Sequence, residues 1–197
     1  MKHLVVFAGP NGSGKSTAAE NFIRQHRLTS YVFVNPDVFA SKLFNDIEDI
    51  VDRYKTAFDF TSKYLDSLIK NGSDVIIETV NSTNKYFNIY SKCKERGYEI
   101  TVVFIGTNDP AINIARVEHR VSEGGHDVPN DKIIDRYYRS MDNLFNLACY
   151  SDVLYIFDNS KLGSIELCLY RDKKDGLKLV NVEPWVDKYF IEYLKRF

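Results

Sequence analysis

The sequence predicts an α/β fold, a three-layer α/β/α arrangement in which a five-stranded parallel sheet lies between helices. Two observations support this prediction. Short apolar runs rich in Val, Ile, Phe and Tyr recur between longer segments with helical periodicity, which is the pattern of successive strand–helix units. The segment directly after the first run matches G-x-x-x-x-G-K-[ST], the pattern of a phosphate-binding P-loop. Together they indicate a P-loop NTPase of the kinase-like type.

The predicted strands are nearly continuous apolar runs, as expected when helices cover both faces of a parallel sheet. They span residues 4–8, 31–34, 75–78, 100–105 and 153–157. The helical patterns cover residues 15–26, 36–44, 50–71, 82–96, 109–123 and 130–149. Asn35-Pro36-Asp37 and Asn108-Asp109-Pro110 mark helix starts, because each combines a capping side chain with a proline at the first helical position. Gly72 and Gly97 lie where helices should end.

The pattern changes near the C-terminus. Residues 164–170 and 177–181 flank Lys173-Lys174-Asp175-Gly176, which is a hairpin turn signal. An amphipathic helix is predicted over 184–196, with its aromatic residues packed on the core. No repeat or long linker interrupts the chain. We therefore expect one domain over residues 1–197, with a helical lid at about 116–139 and a C-terminal hairpin plus helix at about 164–197.

Composition and charge narrow the choice of partners. The 197 residues include 26 Lys and Arg against 27 Asp and Glu, so the net charge of −1 does not favour nucleic acid or an anionic membrane as a partner. No apolar run approaches the roughly 20 residues that a membrane-spanning helix needs. Cys93, Cys149 and Cys168 lack metal or disulfide spacing, and the first strand follows Met1 too closely for a signal peptide. We expect a cytoplasmic protein with reduced thiols.

The P-loop predicts that the chain binds ATP together with Mg²⁺. Its glycines allow successive N–H groups to turn towards an anion, and the following helix adds the positive end of its dipole. Lys15 would contact the β- and γ-phosphates, and the Ser16 hydroxyl would bind Mg²⁺. A glycine-rich turn with a solvated lysine is the alternative. The predicted nucleotide-binding residues are Gly9, Pro10, Asn11, Gly12, Ser13, Gly14, Lys15, Ser16 and Thr17.

Polar residues follow the predicted strands at the edge of the sheet where the P-loop lies. Asp37, after the second strand, is the candidate catalytic base for an acceptor hydroxyl, although an acid in a first helical turn can equally serve only to stabilise that helix. Glu78 ends the third strand, where it could bind Mg²⁺, a metal-bound water or the acceptor substrate, or be a solvated carboxylate. Thr79 and Asn81 are candidate substrate contacts in the same corner, and Asn81 could instead be only a helix cap.

A second group of charged residues surrounds a glycine turn. Arg116 and Arg120 lie four apart on one helix face, and the next helix carries Arg136. The polar segment 122–127 between them contains two adjacent glycines, and His126 within it is a further candidate for phosphate contact. Two arginine-bearing helices joined by such a turn predict a lid whose guanidinium groups neutralise the transferring phosphoryl group. A surface helix pair with solvated arginines is the alternative.

Adenine is the expected base. No Asn-Lys-x-Asp guanine-reading motif follows a predicted strand, which disfavours a regulatory GTPase. The loop at 158–160 follows the last predicted parallel strand, so Asn159 is placed to contact the adenine. The alternative for this loop is an Asx turn with no ligand contact.

These residues together resemble the zeta toxin family, over most of residues 3–160. The similarity is carried by residues 8–17, Asn35-Pro36-Asp37, Glu78-Thr79 and the segment 120–129, and the helix at 133–140 is similar to the family's short chromosomal branch of predicted ATPases. Zeta toxins phosphorylate a hydroxyl of UDP-N-acetylglucosamine with ATP and Mg²⁺. The resemblance implies that Asp37 is the base and that Lys15 clamps the phosphates. It also implies that Arg120 and Arg136 reach the γ-phosphate, and that Glu78 and Thr79 lie on the acceptor side.

The sequence therefore predicts a kinase that transfers the γ-phosphate of ATP to a hydroxyl of a small-molecule acceptor, with nucleotide sugars such as UDP-N-acetylglucosamine as candidates. Two other functions stay open. One is an ATPase or ATP-driven switch that acts on a macromolecule, and the other is a toxin-like protein held by an antitoxin partner. The balanced charge disfavours a polynucleotide kinase.

Overall fold

A computed structural model describes residues 1–125 and 127–196. The strands are β1 Lys2–Ala8, β2 Val32–Val34, β3 Val75–Thr79, β4 Tyr98–Gly106, β5 Val153–Asp158, β6 Glu166–Asp172 and β7 Gly176–Leu179. They form one mixed sheet in the order β2-β3-β1-β4-β5-β6-β7. The first five strands in this order are parallel to one another, and β6 and β7 continue the sheet in antiparallel fashion.

Helices cover both faces of this sheet. They are α1 Lys15–His26, α2 Pro36–Lys42, α3 Ile50–Lys70, α4 Phe87–Glu95, α5 Pro110–Ser122, α6 Asn130–Asp142, α7 Leu144–Ala148, α8 Pro184–Val186 and α9 Glu192–Leu194, with a π-helical turn, Asp187–Ile191, between α8 and α9. One apolar cluster packs α1 on one face, through Ala19 and Phe7. The larger cluster packs α3, α4, α6, α7 and the C-terminal helical turns on the other face and includes Leu65, Met141 and Phe190. The sheet is therefore the middle of three layers.

Strand β1 lies between β3 and β4 and ends at the P-loop. Its side chains alternate between the two apolar clusters, with Leu4 and Val6 in the larger one and Val5 and Phe7 in the smaller one. Because both faces are covered, the strand reads as one continuous apolar run. The residues that follow β1, β3 and β4 meet at the same edge of the sheet, since parallel strands end on the same side.

The predicted α/β class is confirmed, but the prediction of a five-stranded parallel sheet is wrong, because the described residues form a mixed sheet of seven strands. The five predicted strands are present and parallel, but the C-terminal hairpin joins the sheet as β6 and β7. The backbone groups along the free edge of β5 need partners, and an antiparallel hairpin can supply them without a long crossover. The register shifts between Ile156 and Phe157, and the neighbouring residues Cys168 and Leu169 of β6 are both buried.

Several helix boundaries follow their predicted signals. The side chains of Asn35 and Asp109 cap α2 and α5, accepting backbone N–H bonds 2.9 and 2.8 Å long. Gly72 and Gly97, with φ of 75° and 73°, follow α3 and α4.

Other boundaries differ from the prediction. Helix α4 begins at Phe87 rather than near residue 82, because Asn81 adopts a left-handed conformation, with φ of 59°, and a turn follows it. The predicted helix 130–149 is broken at Asn143 into α6 and α7. The predicted terminal helix 184–196 contains the π-helical turn.

Over residues 1–125 and 127–196, the structure contains no helix with both the length and the apolar character needed to cross a membrane. The same residues contain no group of three or more His, Cys, Asp or Glu side chains suited to hold a metal ion.

Candidate active site

The P-loop has the glycine-dependent backbone that its motif predicts. Gly9, Gly12 and Gly14 have φ of 141°, 73° and 96°, a region that side chains disfavour. Space requires glycine as well, because a Cβ on Gly12 would lie 2.6 Å from the carbonyl oxygen of Asn113. A Cβ on Gly14 would lie 2.6 Å from Nδ2 of Asn159. Helix α5 and the residue after β5 therefore hold the loop in its shape.

Lys15, the first residue of α1, is 6% exposed. Its Nζ donates a hydrogen bond to the carbonyl oxygen of Pro10 at 2.7 Å. Burial lowers the pKa of Lys15, the carboxylates of Glu78 and Asp37 oppose this shift, and Arg120 adds to it. The ammonium group thus lies within electrostatic reach of two acids and one arginine of the predicted lid.

A chain of hydrogen bonds links α1 to the ends of β3 and β2. Ser16 Oγ donates to Glu78 Oε1 at 2.7 Å, and Asn35 Nδ2 donates to Glu78 Oε2 at 2.8 Å. Asn35 Oδ1 accepts from the backbone N–H of Asp37 at 2.9 Å. Glu78 is only 8% exposed, so the alternative of a solvated strand-end carboxylate is wrong. One asparagine therefore orients the carboxylate of Glu78 and the helical turn that carries Asp37.

Asp37 is exposed, and its charge acts on two tyrosines nearby. The pKa of Tyr54 is raised to about 12, chiefly by burial and further by the Asp37 carboxylate, while Arg136, Arg53 and Arg120 oppose the shift. Burial also raises the pKa of Tyr86, with a further contribution from Asp37. The Tyr86 hydroxyl is buried and has no hydrogen-bond partner among the residues that the structure describes. The surroundings of Asp37 therefore combine aromatic rings with cationic groups.

Two of the predicted lid arginines lie on the Asp37 side of the P-loop. Arg120, near the end of α5, is exposed and acts electrostatically on both Lys15 and Tyr54. Arg136 on α6 is half-buried and acts on Tyr54. Helices α5 and α6 thus each place one guanidinium group within electrostatic reach of Tyr54.

The other arginines of α5 and α6, Arg116 and Arg139, have different surroundings. Arg116 is half-buried, and its Nη1 is buried without a hydrogen-bond partner in the described part of the chain. Arg139 forms an exposed ion pair with Asp135, one turn earlier on α6. His126, the weaker candidate for phosphate contact, lies outside the described residues.

A buried network joins the P-loop to both helices. Asn113 on α5 donates from Nδ2 to the carbonyl oxygen of Asn11 and accepts at Oδ1 from the Thr107 hydroxyl. The Tyr137 hydroxyl on α6 donates to the Thr107 carbonyl at 2.6 Å. Thr107 and Asn113 are fully buried, and Tyr137 and Asn11 nearly so. Helix α5 is therefore hydrogen-bonded to the P-loop, and both α5 and α6 are hydrogen-bonded to Thr107, the residue that follows β4.

The corner after β3 contains Thr79 and Asn81. Thr79 Oγ1 accepts from the Asn81 backbone N–H at 3.1 Å, and the Asn81 carbonyl accepts from Asn143 Nδ2 at 3.0 Å. Asn81 does not cap α4, which begins after Tyr86. Its Nδ2 is buried with no hydrogen-bond partner among the described residues, so this donor is left unsatisfied.

Some of the remaining predicted nucleotide-binding residues are buried, and others are exposed. Asn159 donates from Nδ2 to the Ser13 carbonyl at 2.8 Å, so its side chain braces the P-loop. Pro10 is buried with the loop, whereas Ser16 and Thr17 are exposed in the first turn of α1. The exposed hydroxyls are the ones that an incoming ligand can reach.

Two features of the site are absent from the sequence-based prediction. The sequence predicts Asn35 as a helix cap, and the structure shows that its side chain also bonds to Glu78. Asn113 is not among the predicted site residues, yet it lies four residues before the buried Val117 on the inward face of α5. A polar residue on an apolar helical stripe is the signal that could have identified it.

The model of the Zeta toxin family matches residues 1–175. The chain belongs to the Zeta toxin family. The match includes the P-loop, Asp37, Glu78 and both arginine-bearing helices, and it ends at the turn of the β6–β7 hairpin. The resemblance carried by the sequence motifs is thereby confirmed.

Three proteins similar to this Zeta toxin family protein share 14% to 27% sequence identity with it. An uncharacterized protein of Haemophilus influenzae is 27% identical over 136 residues, which is 68% of this chain and 91% of that protein. The structure described as the PezAT chromosomal toxin-antitoxin system of Streptococcus pneumoniae matches with a TM-score of 0.66 at 17% identity, over 97% of this chain and 79% of that one. A structure described as AvrRxo1-ORF1:-ORF2 with ATP matches with a TM-score of 0.74 at 14% identity, over the whole of this chain and 63% of that one. This chain thus spans less than two thirds of the AvrRxo1 chain.

Because the sequence identities are this low, the similarity to these solved structures establishes the fold alone. The segment that matches the family contains the complete P-loop with its lysine and hydroxyl residues. This Zeta toxin family protein therefore combines a three-layer α/β fold with a phosphate-binding loop.

Proposed function

We propose that this protein transfers the γ-phosphate of ATP to a hydroxyl group of a small-molecule acceptor. The observation that carries the proposal is the hydrogen-bonded chain from Ser16 through Glu78 and Asn35 to the turn of Asp37, which places two carboxylates beside the P-loop and its buried Lys15. A phosphate-binding lysine, two carboxylates and an arginine at the end of a P-loop are the groups that phosphoryl transfer requires. The reaction depends mainly on positioning and charge neutralisation, and this arrangement suits both.

The nucleotide would bind with its phosphates along the P-loop backbone and Lys15. Ser16 Oγ and the Glu78 carboxylate, hydrogen-bonded at 2.7 Å, are hard oxygen donors of the kind that Mg²⁺ prefers. A bound Mg²⁺ would neutralise phosphate charge. Because Mg²⁺ is usually held by one or two protein oxygens plus phosphates and waters, these two residues fit it without a cluster of acids.

Asp37 would accept the proton of the acceptor hydroxyl. Its exposed carboxylate, on a turn oriented by Asn35, is open to a substrate. Arg120 and Arg136 would neutralise the transferring phosphoryl group, with Arg116 as a further cation of the same helices. The roles of Asp37, Lys15, Arg120 and Arg136 as catalytic residues are part of this proposal.

Glu78, Thr79 and Asn81 would lie on the acceptor side. The buried Asn81 amide without a partner and the aromatic rings of Tyr54 and Tyr86 suit an acceptor that has both a ring and hydrogen-bonding groups. A nucleotide sugar such as UDP-N-acetylglucosamine has these properties, and family membership supports it as the first candidate.

A macromolecular partner is the second candidate function. The family is named for a toxin, and the PezAT structure is described as a toxin-antitoxin system. We therefore include an antitoxin-like partner, or an ATP-driven action on a macromolecule, as the alternative to small-molecule phosphorylation.

The test measures ATP consumption and product masses with a panel of nucleotide sugars that includes UDP-N-acetylglucosamine. We expect one sugar to gain a single phosphate, and Asp37→Asn to slow this transfer by about 10²- to 10⁴-fold while ATP affinity stays native. Asp59→Asn, at an exposed carboxylate on α3, is the matched control and should behave as wild type. ADP formation without any phosphorylated sugar would favour the alternative, and native transfer by Asp37→Asn would refute the assigned base.

A further inference from the structure

Trp185, in α8, is buried against the ends of β4 and β5. Its Nε1 donates a hydrogen bond to Asp158 Oδ1 at 2.8 Å, and the two residues are 4% and 3% exposed. A Cβ on Gly106, the last residue of β4, would lie 2.5 Å from the Trp185 ring, so the ring fits only because this position is glycine. The C-terminal segment is therefore docked at the edge of the sheet where the P-loop lies.

Asp158 connects this tryptophan to the loop at residues 158–160. The Ser160 hydroxyl donates to Asp158 Oδ1 at 2.6 Å, and the Ser160 backbone N–H donates to Oδ2 at 3.0 Å. A carboxylate buried to this degree depends on its donors, because they replace the water that it has lost. Trp185 supplies the one donor among these three that comes from outside the loop.

The same loop contacts the P-loop directly. Asn159 donates from its backbone N–H to the Gly106 carbonyl at 2.9 Å and from Nδ2 to the Ser13 carbonyl at 2.8 Å. A Cβ on Gly14 would lie only 2.6 Å from the same Nδ2. A short path of hydrogen bonds and one peptide unit thus runs from Trp185 through Asp158 and Asn159 to the P-loop backbone.

We infer that Trp185 is a positioning residue for nucleotide binding, which holds the loop 158–160 in the conformation that accepts the base of ATP. The inference rests on the proposed nucleotide site. Trp185 lies beyond residue 175, where the family match ends, so its role comes from this chain's own contacts. The loop follows the last parallel strand at the edge of the sheet where the P-loop lies, and it carries Asn159, the predicted contact of the adenine. Loss of the indole donor should therefore weaken binding of the base more than binding of the phosphates.

The variant Trp185→Phe tests this, because it keeps an aromatic ring against Gly106 and removes the donor to Asp158. Calorimetry with Mg²⁺ measures the affinity of each variant for ATP and for inorganic tripolyphosphate, which has the phosphates without the base. We expect the Kd for ATP to rise by roughly tenfold, since a hydrogen bond to a charged group is lost, and the Kd for tripolyphosphate to stay within about twofold. A merely structural role would leave the ratio of the two affinities unchanged.

Tyr193→Phe is the matched control, because Tyr193 stacks on Phe145 in the same C-terminal segment and its change should affect neither ligand. A second measurement uses the wild-type protein, in which Trp185 is the only tryptophan. ATP binding should change its fluorescence emission, and tripolyphosphate binding should not.

The outcomes separate this inference from the proposed function. Failure of wild-type protein to bind ATP and tripolyphosphate would overturn the nucleotide site and this inference with it. Binding of both ligands by wild type, with an unchanged affinity ratio in Trp185→Phe, would overturn the inference alone. If Trp185→Phe does not fold, the fluorescence response decides, and equal responses to both ligands would count against the role of Trp185.

Discussion

Asn35 and Glu78 are joined by a buried hydrogen bond of 2.8 Å between residues 43 positions apart in the chain. The same Asn35 side chain caps α2 by accepting from the Asp37 N–H. A single amide therefore uses its donor on the carboxylate beside Ser16 and its acceptor on the turn that carries the proposed base. Its two functions can be separated by substitution.

Asn35→Asp should keep the cap but replace the donor to Glu78 with a second carboxylate that repels it, so we expect transfer to fall while helix α2 stays intact. Asn35→Ala should lose both, with the cap alone worth about 1 kcal/mol of unfolding free energy. Transfer rates and urea unfolding measure the two effects. Asp49→Ala, which removes the exposed cap of α3, should lower stability by a similar amount without slowing transfer. Native transfer by Asn35→Asp would show that the bond to Glu78 has no catalytic consequence.

ATP affinity should fall as pH rises through the pKa of Lys15. Burial lowers this pKa, so the ammonium of the free protein loses its proton below the usual range for lysine. Bound phosphate favours the charged form, and binding at high pH therefore requires proton uptake, which costs affinity. Calorimetry over a pH series measures this. Lys15→Arg should bind ATP with little dependence on pH in the same range, because arginine stays charged. An identical pH profile for both proteins would exclude Lys15 as the titrating group.

Asn113→Ala should weaken ATP binding and lower stability. The substitution removes the donor to the Asn11 carbonyl and leaves the Thr107 hydroxyl without its acceptor, both in a buried region. We expect a loss of about 1–3 kcal/mol in the free energy of unfolding and a roughly tenfold weaker Kd for ATP. Denaturant unfolding and calorimetry measure the two. Asn146→Ala, on the exposed side of α7, should change neither. Native ATP affinity in Asn113→Ala would show that the P-loop keeps its shape without α5.

Asp152 should contribute to acid stability. Burial raises its pKa, but the Ile100 backbone N–H and the ammonium groups of Lys173 and Lys94 outweigh this and lower it from 3.8 to about 2. A carboxylate with a lowered pKa in the folded state stabilises the fold above its unfolded pKa, and that contribution is lost as pH falls from about 4 to about 2.

The variant that tests this is Asp152→Asn, followed by unfolding at pH 7 and at low pH. We expect it to lose about 1 kcal/mol at pH 7, after allowance for solvent screening of the lysines, and little relative to wild type below pH 2. Asp175→Asn, in the exposed hairpin turn, serves as the control. An equal difference between Asp152→Asn and wild type at both pH values would exclude the ionised carboxylate as the cause.

Local patterns determined much of this protein. Apolar runs identify the five parallel strands because both faces of such strands are buried, and that requirement shows in the five buried residues at the end of β1, Leu4 to Ala8. The P-loop can be recognised from sequence because its local backbone conformation requires glycine at fixed positions, as the positive φ of Gly12 and Gly14 shows. The caps at Asn35 and Asp109 are local in the same sense.

Only the tertiary structure decided which distant residues meet. The hairpin pattern was visible, but not that β6 would continue the sheet at the edge of β5, because pairing partners depend on which edge is open. Asn35 could be read as a cap because that bond spans two residues, whereas its bond to Glu78 depends on β2 lying next to β3. The contacts of Asn113 and Trp185 also depend on the tertiary structure, since each residue is far along the chain from the P-loop region that it contacts. Sequence periodicity specifies burial and local conformation, and contacts between separate elements follow only once the sheet order brings their ends to one edge.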